Sequence, residues 1–219
     1  MPTKNTIIFD LDGTLLDTLA DLAGSVNYVM EKYNLPTHTN DRVRQMVGNG
    51  VTVLMERAVP GGRSFAAFES CLKDFKEHYE IHKKDLTKPF PGIMDFLKEA
   101  YESGYKMAVV SNKFDLAVKG LCEDFFSPYI TTAIGESAQT APKPAPDTVF
   151  KAMEELHVSP SQCVYVGDSD VDIVTAQNAG IPCISVSWGF RSRQFLEEHG
   201  AITIADSVEE FCNVLKKEF

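Results

Sequence analysis

Asp10 and Asp12 close the apolar run Ile7-Ile8-Phe9 and stand two residues apart, immediately before Gly13-Thr14. Two carboxylates in such a position can divide nucleophilic attack and proton transfer between them. Asp and Gly are also ordinary turn residues, so the pair gains meaning only from its company. That company is a hydroxyl and an amide at Ser111-Asn112, a lysine at Lys143 between Pro142 and Pro144, and an acidic run at Gly167-Asp168-Ser169-Asp170-Val171-Asp172.

The elements that must position these groups alternate along the chain. Short apolar runs of β-type composition lie at Thr6–Phe9, Lys106–Val110, Tyr129–Ile134, Cys163–Val166, Pro182–Val186 and Ile202–Ile204. Helical patterns separate the later ones, among them Ile93–Ser103, Pro146–Leu156, Val171–Ala179 and Val208–Lys217. This alternation predicts an α/β fold, a doubly wound parallel sheet covered on both faces. A parallel crossover needs a dozen or more residues, yet roughly 95 separate the first two strands, so an inserted domain is expected there. Its patterns are helical, at Leu19–Tyr33, Asp41–Met46, Val51–Ala58 and Phe65–Lys83, broken at Leu35-Pro36, Gly48-Asn49-Gly50 and Pro60-Gly61-Gly62. The expected division is a core of residues 1–15 and 86–219 and an all-helical insertion of residues 16–85. Ligands of open α/β sheets bind beyond the carboxyl ends of the strands, and the polar groups named above collect at those ends.

Composition narrows the partners. The chain has 219 residues, 44% hydrophobic and 24% charged, which is ordinary globular material. Its formal net charge of -10 disfavours nucleic acid and anionic membrane surfaces. Five widely spaced cysteines without a C-x-x-C pair fit free thiols in a reducing compartment. Met1-Pro2-Thr3-Lys4-Asn5 leads directly into a strand without a signal-peptide core, and no apolar run approaches membrane-spanning length, so the expected location is cytoplasmic.

Asp10-Leu11-Asp12-Gly13-Thr14, Ser111-Asn112, Lys143 before Pro144, and Gly167-Asp168-Ser169 with Asp172 resemble, in order, the four motifs of the haloacid dehalogenase-like phosphohydrolases. The resemblance covers nearly the whole chain. It implies a Rossmann-like core, a helical insertion acting as a mobile cap, and phosphoryl transfer through an aspartyl phosphate. By resemblance Asp10 is the nucleophile, Asp12 protonates the leaving alkoxide and then deprotonates water, and Lys143 neutralises the transferring group. Ser111, aided by Asn112, binds a phosphoryl oxygen. Asp172 orients Lys143 or a metal-bound water. Two like charges 4 Å apart repel by about 4 kcal/mol at an effective dielectric near 20, so an acidic site needs a cation before it can take a phosphate. Mg²⁺ suits an all-oxygen site, and the resemblance assigns it to Asp10, the backbone carbonyl of Asp12, and Asp168.

The expected substrate is a small phosphorylated metabolite, 2-phosphoglycolate in the first instance, handled by a monomer or homodimer. A pyrophosphatase, nucleotidase or sugar-phosphate phosphatase of the same family, and a phosphoryl-sensing module without turnover, stand as alternatives. Val47-Gly48-Asn49-Gly50, with the helix after it, resembles the cap of bacterial phosphoglycolate phosphatases, which makes Asn49 and Gly50 the candidate carboxylate readers. Leu22 stands where related sugar-phosphate mutases carry a cap histidine, and the cap loop has no arginine for a second phosphate, which disfavours mutase activity. An acid at position 12 disfavours carbon–halogen cleavage. A calcium loop at Asp168–Asp172 fails because Ile173 and Ala179 replace the required Gly and Glu. Asp170, His78 and His82 are expected at the surface, and Trp188 in packing.

Overall fold

Ile7, Ile8 and Phe9 are almost wholly buried, because β1 (Thr6–Phe9) is covered on both faces, as continuous apolar runs in parallel sheets are. The computed structural model describes residues 4–138 and 140–218; the N-terminal reading at Met1–Thr3 lies outside them.

The chain divides into two compact units, Leu16–Lys88 and the remainder, Met1–Leu15 with Pro89–Phe219. In the larger unit β1 lies between β4 (Lys106–Phe114) and β6 (Cys163–Gly167), parallel to both. β5 (Thr132–Glu136) pairs with the outer side of β4, and β7 (Cys183–Val186) and β8 (Thr203–Ala205) extend the other flank. The order β5-β4-β1-β6-β7-β8 reverses direction at β1, which is the switch point where ligands of such sheets bind. The doubly wound α/β reading is therefore correct. Short strands β2 (Leu16–Asp17) and β3 (Lys88–Pro89) pair with each other where the chain leaves and re-enters the larger unit.

Several boundaries differ from the expectation for physical reasons. β4 does not stop at Val110 but runs on through Ser-Asn-Lys-Phe, with its register against β5 shifting between Val110 and Phe114. β5 starts later than Tyr129, since Tyr129 and Ile130 donate to the Phe126 carbonyl and finish the preceding helix, leaving buried Ile130 to imitate a strand residue. That helix, α6 (Asp115–Phe126), and the short α9 (Arg193–Glu198) were not singled out in the sequence. The other helices of this unit are α5 (Ile93–Glu102), α7 (Asp147–Leu156), α8 (Asp170–Ala179) and α10 (Val208–Glu218).

The smaller unit consists of α1 (Leu19–Lys32), α2 (Asn40–Met46), α3 (Gly50–Ala58) and α4 (Phe68–His82). Its last helix starts three residues later than the pattern, after a 3₁₀ turn at Gly62–Ser64. Asp21, buried in α1, accepts backbone hydrogen bonds from Leu86 and Thr87 at 2.9–3.1 Å and pins the returning chain. His78 and His82 are half-buried rather than surface residues: Tyr28, His78 and His82 stack at 4.1 and 4.2 Å, and His78 Nδ1 lies 3.0 Å from the Ser25 hydroxyl. All five cysteines are free, three buried and two half-buried. Among the described residues no helix is long and apolar enough to cross a membrane.

Candidate active site

The carboxyl ends of β1, β4 and β6, with the loop after β5, bring Asp10, Asp12, Ser111, Asn112, Lys143, Asp168 and Asp172 into one site. Asp10 continues from β1, its N–H donating to the Val166 carbonyl of β6 at 2.8 Å. Its Oδ1 accepts from the Leu11 N–H at 2.7 Å and pairs with Lys143 Nζ at 2.9 Å. Among the described residues no donor is placed on Oδ2.

Lys143 is buried and fully engaged. Besides Asp10, its ammonium donates to Asp172 Oδ1 at 2.8 Å and to the Tyr165 hydroxyl at 3.0 Å. Tyr165 in turn donates to Asp172 Oδ1 at 2.9 Å. Both Asp172 oxygens are taken, because Oδ2 accepts from the Ser169 N–H at 3.1 Å and the Ser169 hydroxyl at 2.6 Å. This reciprocal cap at the start of α8 makes Asp172 a holder of Lys143. Tyr165 is a site residue that the motifs do not indicate; its signal in the sequence is a hydroxyl in the middle of the buried strand Cys163-Val-Tyr-Val, where a polar tip needs a partner.

Asn112 does something different from what its place beside Ser111 implied. Its Nδ2 donates to the Lys143 carbonyl at 2.9 Å and its Oδ1 accepts from the Lys143 N–H at 2.7 Å. Both ends of the amide clamp the Lys143 loop, so the side chain is committed to positioning. Ser111 is buried, and its Oγ accepts from the Lys113 N–H at 3.2 Å. Lys113, buried one residue beyond the predicted pair, places Nζ 2.8 Å from both oxygens of Asp12. Its position after a recognised motif was the only signal for it.

Asp168 is held by the segment after β7. Phe190 N–H donates to Oδ2 at 2.6 Å and the Thr14 hydroxyl to Oδ1 at 3.3 Å. A Cβ at Gly13, whose φ is +87°, or at Gly189 would collide with the Asp168 carboxylate, so two glycines form its cradle. Trp188 is more than packing, since its Nε1 donates to the Thr14 carbonyl at 3.0 Å and braces the loop after β1. Asp170, half-buried, opens α8. Asn49 and Gly50 lie in the smaller unit, where Gly48, Asn49 and Gly50 have φ of +117°, +60° and +83° in succession. Asn49 stands at the N-terminus of α3 without a side-chain capping bond.

Electrostatics test whether a cation belongs here. Asp10, Asp168 and Asp172 offer oxygens within 4.8 Å of one another. Among the described residues Lys143 is the one cation paired within this cluster, leaving an excess of two negative charges when all three acids are ionised. Burial, reinforced by Asp172 and only partly countered by Lys143, pushes the Asp10 carboxyl up to about 7. Burial and the same acid neighbours hold Asp168 well above the carboxylate range. For Lys143 burial pulls downward, but Asp10 and Asp172 overcome it and keep the ammonium charged. A hard divalent cation on oxygen ligands matches that excess. Each Asp172 oxygen already accepts two hydrogen bonds, whereas each Asp168 oxygen accepts one, so Asp10 and Asp168 are the side chains with acceptor capacity left to hold it.

The model of the haloacid dehalogenase-like hydrolases matches residues 7–186. The chain belongs to this family. It is 33% identical over 207 residues to the phosphoglycolate phosphatase of Pseudomonas fluorescens, covering 91% of this chain and 76% of that one. It is 35% identical over 189 residues to that of Caulobacter vibrioides, covering 84% and 80%. A crystal structure of a provisionally assigned phosphoglycolate phosphatase from Lactobacillus delbrueckii subsp. bulgaricus superposes with a TM-score of 0.92 at 36% identity, covering 96% of this chain and 98% of that one. A predicted phosphoglycolate phosphatase from Haemophilus somnus superposes with a TM-score of 0.88 at 27% identity, covering 98% and 99%.

Proposed function

We propose that this protein is a magnesium-dependent phosphatase that hydrolyses 2-phosphoglycolate, or a closely similar small phosphate monoester, through an aspartyl phosphate on Asp10. The observation that carries the reading is the asymmetric Asp10 carboxylate, with Oδ1 fixed by Leu11 N–H and Lys143 and no donor on Oδ2 among the described residues. The names of the relatives support the choice of substrate.

Oδ2 attacks phosphorus in line, and the bond from phosphorus to the ester oxygen breaks. Asp12 delivers a proton to the departing alkoxide, then removes one from the water that attacks the aspartyl phosphate. Phosphate leaves and the Asp10 carboxylate is regenerated. Lys143 stabilises the charge on the transferring group, held in place by Asp172, Tyr165 and the Asn112 clamp. Ser111 donates to a phosphoryl oxygen. Magnesium on Asp10, Asp168 and the Asp12 carbonyl would cancel the surplus negative charge and polarise the phosphoryl group.

The smaller unit acts as the cap, with Asn49 and the N–H groups around Gly50 reading the carboxylate. The protein works in the cytoplasm as a monomer or homodimer on a small metabolite, without nucleic acid or membrane. The test is phosphate release from 2-phosphoglycolate, sugar phosphates, nucleotides and pyrophosphate with Mg²⁺, compared by kcat/KM. 2-Phosphoglycolate is expected to lead, Asp10→Asn to abolish turnover without unfolding the protein, and rapid-quench labelling of wild type to place phosphate on Asp10. Preference for nucleotides or pyrophosphate rejects the substrate; stoichiometric label on another residue rejects the nucleophile.

A further inference from the structure

We infer that Asp206 is a positioning residue for Asp168: it ties together both ends of the segment 187–193, whose backbone and tryptophan orient the Asp168 carboxylate. The inference rests on the reading of Asp168 as a ligand of the divalent cation.

Asp206 follows β8 directly, as Ser187 follows β7. The two strands are parallel neighbours, so their carboxyl ends lie side by side, and the Ser187 N–H continues the pairing onto the Ala205 carbonyl at 3.0 Å. One oxygen of Asp206 accepts from the Ser187 hydroxyl, and the other accepts from the Arg193 guanidinium at 2.7 Å. Asp206 is itself fixed, because its N–H donates at 2.7 Å to Glu210 Oε2 in the first turn of α10. One carboxylate thus joins the entry of the segment to its exit, where α9 begins.

Between those ties the segment meets the surroundings of Asp168 twice. The Phe190 N–H donates to Asp168 Oδ2 at 2.6 Å. Trp188 Nε1 donates to the Thr14 carbonyl at 3.0 Å, and the Thr14 hydroxyl donates to Asp168 Oδ1 at 3.3 Å. Both oxygens of the acid are oriented by the segment, one directly and one through Thr14. Gly189, between the two contact residues, has no side chain to stiffen the backbone, and Asp168 and the Gly13 carbonyl take the space for one. Rigidity has to come from the ends, and the Asp206 carboxylate reaches both. Stability and positioning separate here. The Arg193 and Asp206 side chains are 46% and 52% exposed, so their ion pair adds little to folding. Removing Asp206 should leave the fold and loosen the segment.

The experiment uses Mn²⁺ as the probe and Trp188, the one tryptophan of the chain, as the reporter. Mn²⁺ binding without substrate is titrated by electron paramagnetic resonance for wild type, Asp206→Ala, Asp206→Glu and Arg193→Met, with Asp168→Asn as the control. Acrylamide quenching of Trp188 and thermal melting are measured on the same proteins. Asp206→Ala is expected to raise the Mn²⁺ Kd by about 10-fold, the lower end of the range for groups that orient metal ligands, and to increase quenching of Trp188. Its melting temperature should stay within about 2 °C of wild type. Asp206→Glu should recover part of the affinity, and Arg193→Met, which cuts one tie, should give a smaller shift in the same direction. An unchanged Mn²⁺ Kd in folded Asp206→Ala overturns the inference and leaves the metal reading standing. Wild type that binds no Mn²⁺, or no more tightly than Asp168→Asn, removes the metal reading and the inference together. If Asp206→Ala fails to fold, Arg193→Met decides: its Kd must exceed that of wild type, and an unchanged value overturns the role.

Discussion

Lys143 and Lys113 both carry a buried ammonium into the strand-end site, and they are held in different ways. Lys143 has three oxygen partners from three parts of the chain, and Asn112 clamps its backbone at both the N–H and the carbonyl. Lys113 meets both oxygens of the Asp12 carboxylate at 2.8 Å, and its own N–H donates to the Ser111 hydroxyl. A cation tied from several directions serves as a fixed charge, and preorganised charge is what stabilises a transferring phosphoryl group. The two lysines thus serve different acids, Lys143 the pair Asp10 and Asp172, and Lys113 the carboxylate of Asp12.

Removing the fixed charge is the most severe way to break this comparison. Lys143→Met should lower kcat by roughly 1,000-fold or more on every phosphate ester tested, because the loss falls on the phosphoryl group common to all of them. It should also lower the melting temperature, since Asp10 and Asp172 lose their counter-charge. Loss confined to carboxylated substrates would remove Lys143 from the transferring phosphoryl group.

Asp12, the partner of Lys113, gives the next largest effect. Asp12→Asn should slow alkyl esters by about 100- to 10,000-fold, the usual span for a general acid, and aryl phosphates far less because their leaving groups need little protonation. The ratio of alkyl to aryl rates is the measurement. An unchanged ratio would remove Asp12 from proton transfer and leave Lys113 holding a structural carboxylate.

The smallest effect concerns stability. Asp10 is held near 7, above its ordinary value of 3.8, chiefly by burial. A carboxyl raised on folding favours the folded state at low pH, and the benefit is lost as pH rises through its folded value. Metal-free protein should therefore lose stability between about pH 4 and 7, and above that window Mg²⁺ should restore it by cancelling the charge excess around Lys143. Scanning calorimetry should find a Mg²⁺-induced rise of roughly 3–6 °C at pH 8 and little at pH 5. A shift independent of pH would contradict the charge argument.

Apolar patterning located the sheet because buried parallel strands are near-continuous apolar runs, as Ile7-Ile8-Phe9 of β1 and Cys163–Val166 of β6 are. It failed where chemistry interrupts the pattern. Ser111, Asn112 and Lys113 are strand residues, yet their polarity ended the expected strand at Val110. The acids were legible because their types and order resemble a known set of motifs. Their supports were not, because a hydroxyl such as Tyr165 or a tryptophan such as Trp188 acquires its role only from a partner far away in the chain. The Tyr165 hydroxyl meets Lys143, and Trp188 meets Thr14. The loop at Asn49 was legible as a turn, and its run of three positive φ values agrees with that reading.

Gly189 carries no functional group, yet any side chain there would run into the Gly13 carbonyl and the Asp168 carboxylate. Among natural variants of this protein, loss of function should therefore arise at a position that a survey of acids, lysines and serines would pass over. A missense change at codon 189 would leave every reactive group in the gene and still displace the buried Asp168 carboxylate. Harmlessness judged by chemical type would misclassify it, whereas the space around its α-carbon does not.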